Sequence, residues 1–250
     1  MAEPLLRAEG LTAKDGAAAD LASVSFSLEP GVLAAVIGPD PWDKDALVDL
    51  LAGRRRASGG TLRFGGRPIT GLAAAARARR GLVWTLRPPL AFATGTLVEA
   101  VALAMAARGA PHPLDAFRRR PAAPASAAAL ATLQFVGLGG NSGRSPAQLE
   151  TGERARLELA RCLAAAPSLL VVDRLTAGLG DHERGALIQL LRQLAAGGIT
   201  ILWVEEDATS ALDHADQLVV LHHGRTPTPG GLGATRRAEA LEAAFLGRTR

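Results

Sequence analysis

The stretch VIGPDPWDKDALVDLL, residues 36–51, decides how the rest of the chain is read. The apolar run Val32–Ile37 predicts a buried strand, broken at Gly38-Pro39. A helical pattern resumes after Lys44, with Leu47, Leu50 and Leu51 on one face. Strand, glycine-started loop, lysine and helix form the layout of a phosphate-binding P-loop, G-x-x-x-x-G-K-[ST]. In such a loop, backbone N–H groups and the helix N-terminus hold phosphates and the lysine reaches the outer ones. Here the eight positions read Gly38, Pro39, Asp40, Pro41, Trp42, Asp43, Lys44 and Asp45. The first glycine and the lysine persist, while Asp43 replaces the second glycine and Asp45 the magnesium-ligating hydroxyl.

These replacements change the electrostatics of the loop. Asp40, Asp43 and Asp45 are expected to surround the Lys44 ammonium, and to pair with it, where a polyanion should bind. Unit charges about 4 Å apart interact by roughly 4 kcal/mol at an effective dielectric near 20, enough to cancel much of a nucleotide's affinity. Pro41 lacks a backbone donor, and Trp42 brings bulk into the loop. Read alone, the stretch fits a damaged P-loop as well as an ordinary strand-turn-helix.

Outward from it, the chain alternates strands and helices. Leu5–Glu9 and Val24–Leu28 alternate like half-buried strands, as does Thr61–Phe64, and Gly81–Trp84 is a short strand. Helices are predicted over Thr96–Ala107, Ala127–Val136 and Glu153–Ala165, with a Pro- and Arg-rich linker over His112–Ser126. Leu169–Asp173 is a buried strand with a carboxylate at its C-terminal end, where open α/β sheets bind ligands. Helix Asp181–Ala196, strand Thr200–Val204, helix Asp207–Ala215, strand Gln217–Leu221 and a last helix near Ala234–Leu246 complete the alternation.

With 250 residues and 48% hydrophobic content, the chain suits one α/β domain, residues 1–250, in which the mainly helical block of about 90–165 is an inserted subdomain. A net charge of +4 permits contact with anionic partners, yet the basic runs at Arg54–Arg56, Arg77–Arg80 and Arg118–Arg120 are scattered and read as solvated faces. Interleaved aromatics and a recognised nucleic-acid motif are lacking, so a nucleic-acid module ranks last and no specific nucleic acid is expected as a partner. One cysteine, Cys162, excludes an internal disulfide and fits a reduced cytoplasmic setting, and no apolar run is long enough to span a membrane. His214, His222 and His223 read as exposed or structural.

From Gln148 to Arg161, followed by Leu169–Asp173 and Thr176-Ala-Gly-Leu179, the chain resembles the nucleotide-binding subunits of ATP-binding-cassette (ABC) transporters. The order and spacing of P-loop, helical block, signature helix, acidic strand and switch strand fit along essentially the whole length. Leu133-Gln-Phe-Val-Gly-Leu138, Arg156-Leu-Glu-Leu-Ala-Arg161 and Ala244-Phe-Leu-Gly247 resemble the branched-chain or hydrophobic amino acid branch. The resemblance implies the P-loop NTPase fold of the ABC type: a mixed sheet core, an N-terminal antiparallel β part and an inserted α-helical subdomain. It also implies ATP and Mg2+ as cofactors, transmembrane permease subunits and a second nucleotide-binding subunit as partners, and a place on the inner face of the cell membrane.

Set against that family, the chemistry-bearing positions depart. The signature reads Leu149, Glu150, Thr151, Gly152 and Glu153, with Glu150 in place of serine and Thr151 in place of a glycine. Glu150 reads as a charge repelling the partner's nucleotide or, more plainly, as an N-terminal helix charge. Asp173 stands where the family holds magnesium through water. Arg174 replaces the glutamate that polarises attacking water, and arginine cannot act as a base. The magnesium-sensing glutamine falls at Arg87, or at Leu86, and the switch histidine at Glu206. Gly180 replaces an aspartate, and no aromatic stands near Thr12–Gly16 to stack on adenine. The expectation is a degenerate, weakly hydrolysing or inactive cassette paired with a competent one for uptake of amino acids or similar solutes. An active ATPase with Asp45 as a magnesium ligand is the alternative.

Overall fold

The structure is a computed structural model and describes residues 3–14, 20–86, 95–109, 123–226 and 232–233. It divides into two compact units, Met1–Leu82 with Ser168–Arg174 and Leu191–Arg250, and Val83–Pro167 with Leu175–Leu190.

In the first unit, β1 (Leu6–Ala13), β2 (Leu21–Leu28), β4 (Gly59–Phe64) and β5 (Arg67–Pro68) form an antiparallel sheet in the order β2-β1-β4-β5. Leu6 sits between Leu28 and Phe64 across the ladders, and all three are buried. Alternating apolar residues thus make one face of this sheet a core face. Both β1 and β2 run longer than the predicted strands, and the register shifts near Gly10 let β1 continue past its glycine.

The second sheet has the order β10-β9-β3-β8-β7-β6, built from β3 (Leu33–Ile37), β6 (Leu82–Trp84), β7 (Leu169–Asp173), β8 (Thr200–Val204), β9 (Gln217–Val220) and β10 (Leu232–Gly233). Strand β3 is central, parallel to both β8 and β9, and β7 is parallel to β8. Every residue of β3, β7 and β8 is buried, which explains their continuous apolar sequences. Val36 pairs with Val204, Ile37 with Val220 and Asp173 with Val204, so these strands end in one row. Gly38, Arg174, Glu205 and Leu221 follow at the carboxyl edge.

Helix α1 (Pro41–Ala52) follows β3, α2 (Ala74–Arg79) lies between β5 and β6, and α7 (Ala208–His214) follows β8. The second unit holds α3 (Leu97–Gly109), α4 (Ala123–Phe135) and α5 (Thr151–Ala164), while α6 (Asp181–Ala196) begins there. Helix α4 starts four residues before the predicted Ala127. Its alanine-rich lead favours helix, and the rest of the predicted linker, residues 112–122, lies outside the described residues. The predicted helix over Ala234–Leu246 lies outside the described residues.

Candidate functional site

The turn after β3 is shorter than the sequence pattern predicts. Only Gly38, Pro39 and Asp40 separate β3 from α1, which begins at Pro41 and not after Lys44. The reason is local. Asp40 has an extended backbone, and its Oδ1 accepts the Trp42 N–H at 2.8 Å, which makes it an N-cap with proline at the first helical position. What reads as a loop is the first turn of a helix, and Trp42, 59% exposed, stands on that turn.

The three carboxylates do not gather on Lys44 as expected. Asp40 caps the helix. Asp43 is buried, and its Oδ2 accepts the Gly224 N–H at 2.7 Å, fastening α1 to the turn after β9. Burial pushes the Asp43 carboxyl above its ordinary value, partly opposed by that hydrogen bond. Asp45 pairs instead with Arg174. Lys44 is buried and donates to the main-chain oxygens of Gly38 at 2.8 Å and Glu205 at 3.3 Å. Desolvation holds its ammonium below the usual lysine range, with Glu206, Glu205, Asp45 and Asp40 acting in the opposite sense.

Arg174 occupies the centre of this arrangement. Its backbone is left-handed, φ 46°, and its N–H donates to Val204 O at 3.1 Å. The guanidinium reaches Asp45 Oδ1 at 2.8 Å through Nη1 and Glu206 Oε1 at 3.1 Å through Nε, and donates from Nη2 to Pro41 O at 2.8 Å. The Arg174 side chain is only 4% exposed, against 27% for Asp45 and 59% for Glu206. Asp173, one residue earlier, is buried at the end of β7.

Gly38, Lys44, Asp45, Asp173, Arg174 and Glu206 therefore converge on the carboxyl edge of the parallel sheet. Sequence reasoning missed Glu205, whose Oε1 accepts the Glu206 and Asp207 N–H groups at 2.7 and 3.1 Å. Its position directly after the buried, mostly apolar strand β8 was the available signal. A Cβ on Gly38 would overlap the Leu221 carbonyl oxygen, so close strand packing by itself accounts for that glycine. His222 and His223 lie side by side, ring centroids 4.1 Å apart, beside Gly224.

In the second unit, Leu149 and Gly152 are buried, while Glu150 and Thr151 are exposed at the start of α5. Glu150 is the N-cap residue, as its plainer reading expects. Glu153 reaches back to accept the Glu150 N–H at 3.1 Å and also accepts from Asn141 at 2.8 Å and Arg144 at 3.0 Å. A Cβ on Gly152 would collide with the Glu183 carboxylate. Buried Glu158 on α5 accepts the Leu86 N–H and an Arg161 N–H, each at 2.8 Å. Arg87 lies outside the described residues, as do Asp15 and Gly16 of the expected adenine-stacking segment.

Residues 21–177 match the model of the family described as ABC transporter. The chain belongs to that family. The cassette is 29% identical to the high-affinity branched-chain amino acid transport ATP-binding protein BraF of Pseudomonas aeruginosa, over 99% of each chain. It is 31% identical to the hemin import ATP-binding protein HmuV of Agrobacterium fabrum, over 90% of this chain and 85% of that one. Its fold superposes with a TM-score of 0.84 on the ADP conformation of MJ1267, an ATP-binding cassette of an ABC transporter, at 24% identity over 99% of this chain and all of that one. The expected fold class, a mixed sheet with an antiparallel β part and helices, agrees with this likeness. No helix among the described residues of the cassette is long and apolar enough to cross a membrane.

Proposed function

We propose that this cassette is a non-hydrolysing member of a transporter's pair of nucleotide-binding subunits. It docks on transmembrane permease subunits at the inner membrane face and pairs with a second cassette that hydrolyses ATP. The transported solutes are amino acids or similar small molecules, a reading supported by the branched-chain amino acid transport role printed for BraF.

The observation that carries the proposal is the Arg174 guanidinium lying between Asp45, Glu206 and Pro41 O. The chain's own groups fill the roles of ligand and metal. A carboxylate, Asp40, takes a helix N-terminal amide that a phosphate would use, and a guanidinium takes Asp45, which the alternative reading assigns to magnesium. Pro39 and Pro41 offer no N–H. A nucleotide would have to break the Arg174 contacts and accept Asp45 and Glu206 as neighbours, each a repulsion of up to roughly 4 kcal/mol at 4 Å. Phosphoryl transfer depends on positioning and on neutralising charge. These residues do not fit Mg-ATP.

One feature favours the active-ATPase reading: Lys44 and Asp173 remain together at the carboxyl edge of the sheet. The test follows Trp42, exposed on the first turn of α1. Its fluorescence is expected not to respond to Mg-ATP, and the purified chain to show negligible turnover. Lys44→Ala should leave transport by the reconstituted permease nearly unchanged. Brisk hydrolysis abolished by Lys44→Ala overturns the proposal.

A further inference from the structure

Two of the basic runs that look scattered in sequence meet in space. Arg54, Arg55 and Arg56, just past α1, and Arg77, on α2, line one pocket of about 490 Å³ together with the Gly71–Leu72 turn. The pocket lies at the C-terminal end of α1, about 18 Å along the helix from Pro41, so it is separate from the site around Arg174.

Arg77 is buried and fixed. Nη1 donates to Leu50 O at 2.6 Å and Leu51 O at 2.8 Å, Nε to Leu72 O at 2.9 Å and Nη2 to Thr70 O at 2.9 Å. Among the described residues its partners are all main-chain carbonyls, so its full charge meets only partial countercharge there. Arg54 pairs with Asp49 at 2.6 Å, and Arg55 with Asp20 at 3.5 Å. Among the described residues, no carboxylate lies within ion-pair distance of Arg56 or Arg77. Guanidinium groups therefore outnumber carboxylates at the pocket. Its volume falls within the range of small-molecule sites, and planar guanidinium forks suit phosphate oxygens in pairs.

We propose that this pocket binds a phosphate-bearing polyanion, either a small soluble phosphate compound or the phosphate headgroup of an anionic lipid. Arg77 provides a fixed positive floor, Arg55, its side chain 14% exposed and held by Asp20 and Ala13 O, adds a second anchored charge, and exposed Arg56 closes on the ligand from the rim. This site is independent of the reading given for the nucleotide loop.

The experiment titrates the full chain with inorganic pyrophosphate by calorimetry. In parallel, the chain is sedimented with vesicles of phosphatidylglycerol or of phosphatidylcholine. Both arms are repeated with Arg55→Ala/Arg56→Ala and with Lys44→Ala. Saturable pyrophosphate binding supports the soluble source, and binding to phosphatidylglycerol vesicles alone supports the headgroup. In either case the arginine pair variant should weaken binding by about tenfold or more. If that variant does not fold, Arg55→Lys/Arg56→Lys keeps the charge and loses the forks, and the same direction is expected. Binding indifferent to the arginine substitutions overturns the site, as does binding of neither probe. Binding lost through Lys44→Ala instead places the anion at the other end of α1 and also overturns it. Preference for polyglutamate over both probes assigns the surface to an acidic protein and overturns it as well.

Discussion

Arg174 Nη1 stands 2.8 Å from Asp45 Oδ1, so the residue following β7 is clasped by a residue of α1. The pair joins two residues far apart in the chain into one contact, a guanidinium 4% exposed against a carboxylate 27% exposed. Truncating either partner leaves the other charge with less compensation. A double-mutant cycle with Arg174→Ala and Asp45→Ala, read by urea unfolding, is therefore expected to give a coupling of about 1–2 kcal/mol. Additivity within experimental error would show that the contact does not form.

Asp43 should impose a pH dependence on stability. Burial raises its folded-state carboxyl above the ordinary 3.8. A raised value means that its contribution to stability is complete below 3.8 and is lost as pH climbs through the folded-state value. Asp43→Asn keeps an oxygen to accept the Gly224 N–H and removes the buried charge. Unfolding free energies measured from acid to neutral pH should diverge in the variant's favour as pH rises. Parallel curves would count against the assignment.

Gly38→Ala tests whether that glycine serves packing alone. The added methyl meets the Leu221 carbonyl in a fully buried row of strand ends, so overpacking of about 1–3 kcal/mol is expected in chemical denaturation, with or without nucleotide present. A stable variant would indicate that the strand ends can separate at little cost.

Arg77→Met should cost about 3 kcal/mol, because it strips donors from the last carbonyls of α1 and from the turn at Thr70–Leu72. Arg56→Ala, on the exposed rim, should move stability by no more than about 0.5 kcal/mol. The contrast, read as melting temperatures of the two variants, separates the pocket's floor from its rim.

The sequence carried the fold through its periodicity. Predicted and observed bounds coincide for α6 and β8, where helical spacing and the run Ile201–Val204 behind a β-branched threonine leave no competing pattern. Asp-Pro at residues 40–41 is an N-cap followed by a first-turn proline, and it marks the true start of α1. Matching the eight positions to a loop pattern hid that local signal. The departures from that pattern were legible one position at a time, but their relations were not. Nothing in spacing places the Arg174 side chain on Asp45, because a left-handed backbone at a strand end directs it there. The Gly224–Asp43 hydrogen bond spans the chain from α1 to the turn after β9, and the pocket of Arg54–Arg56 and Arg77 is likewise a tertiary event.

The early start of α1 limits what one substitution at this edge can change. Asp43→Gly alone leaves Asp40 and Pro41 winding the helix, and Asp45→Ser alone strands the Arg174 guanidinium. Re-engineering the turn after β3 therefore has to alter the helix start and the ion pair together.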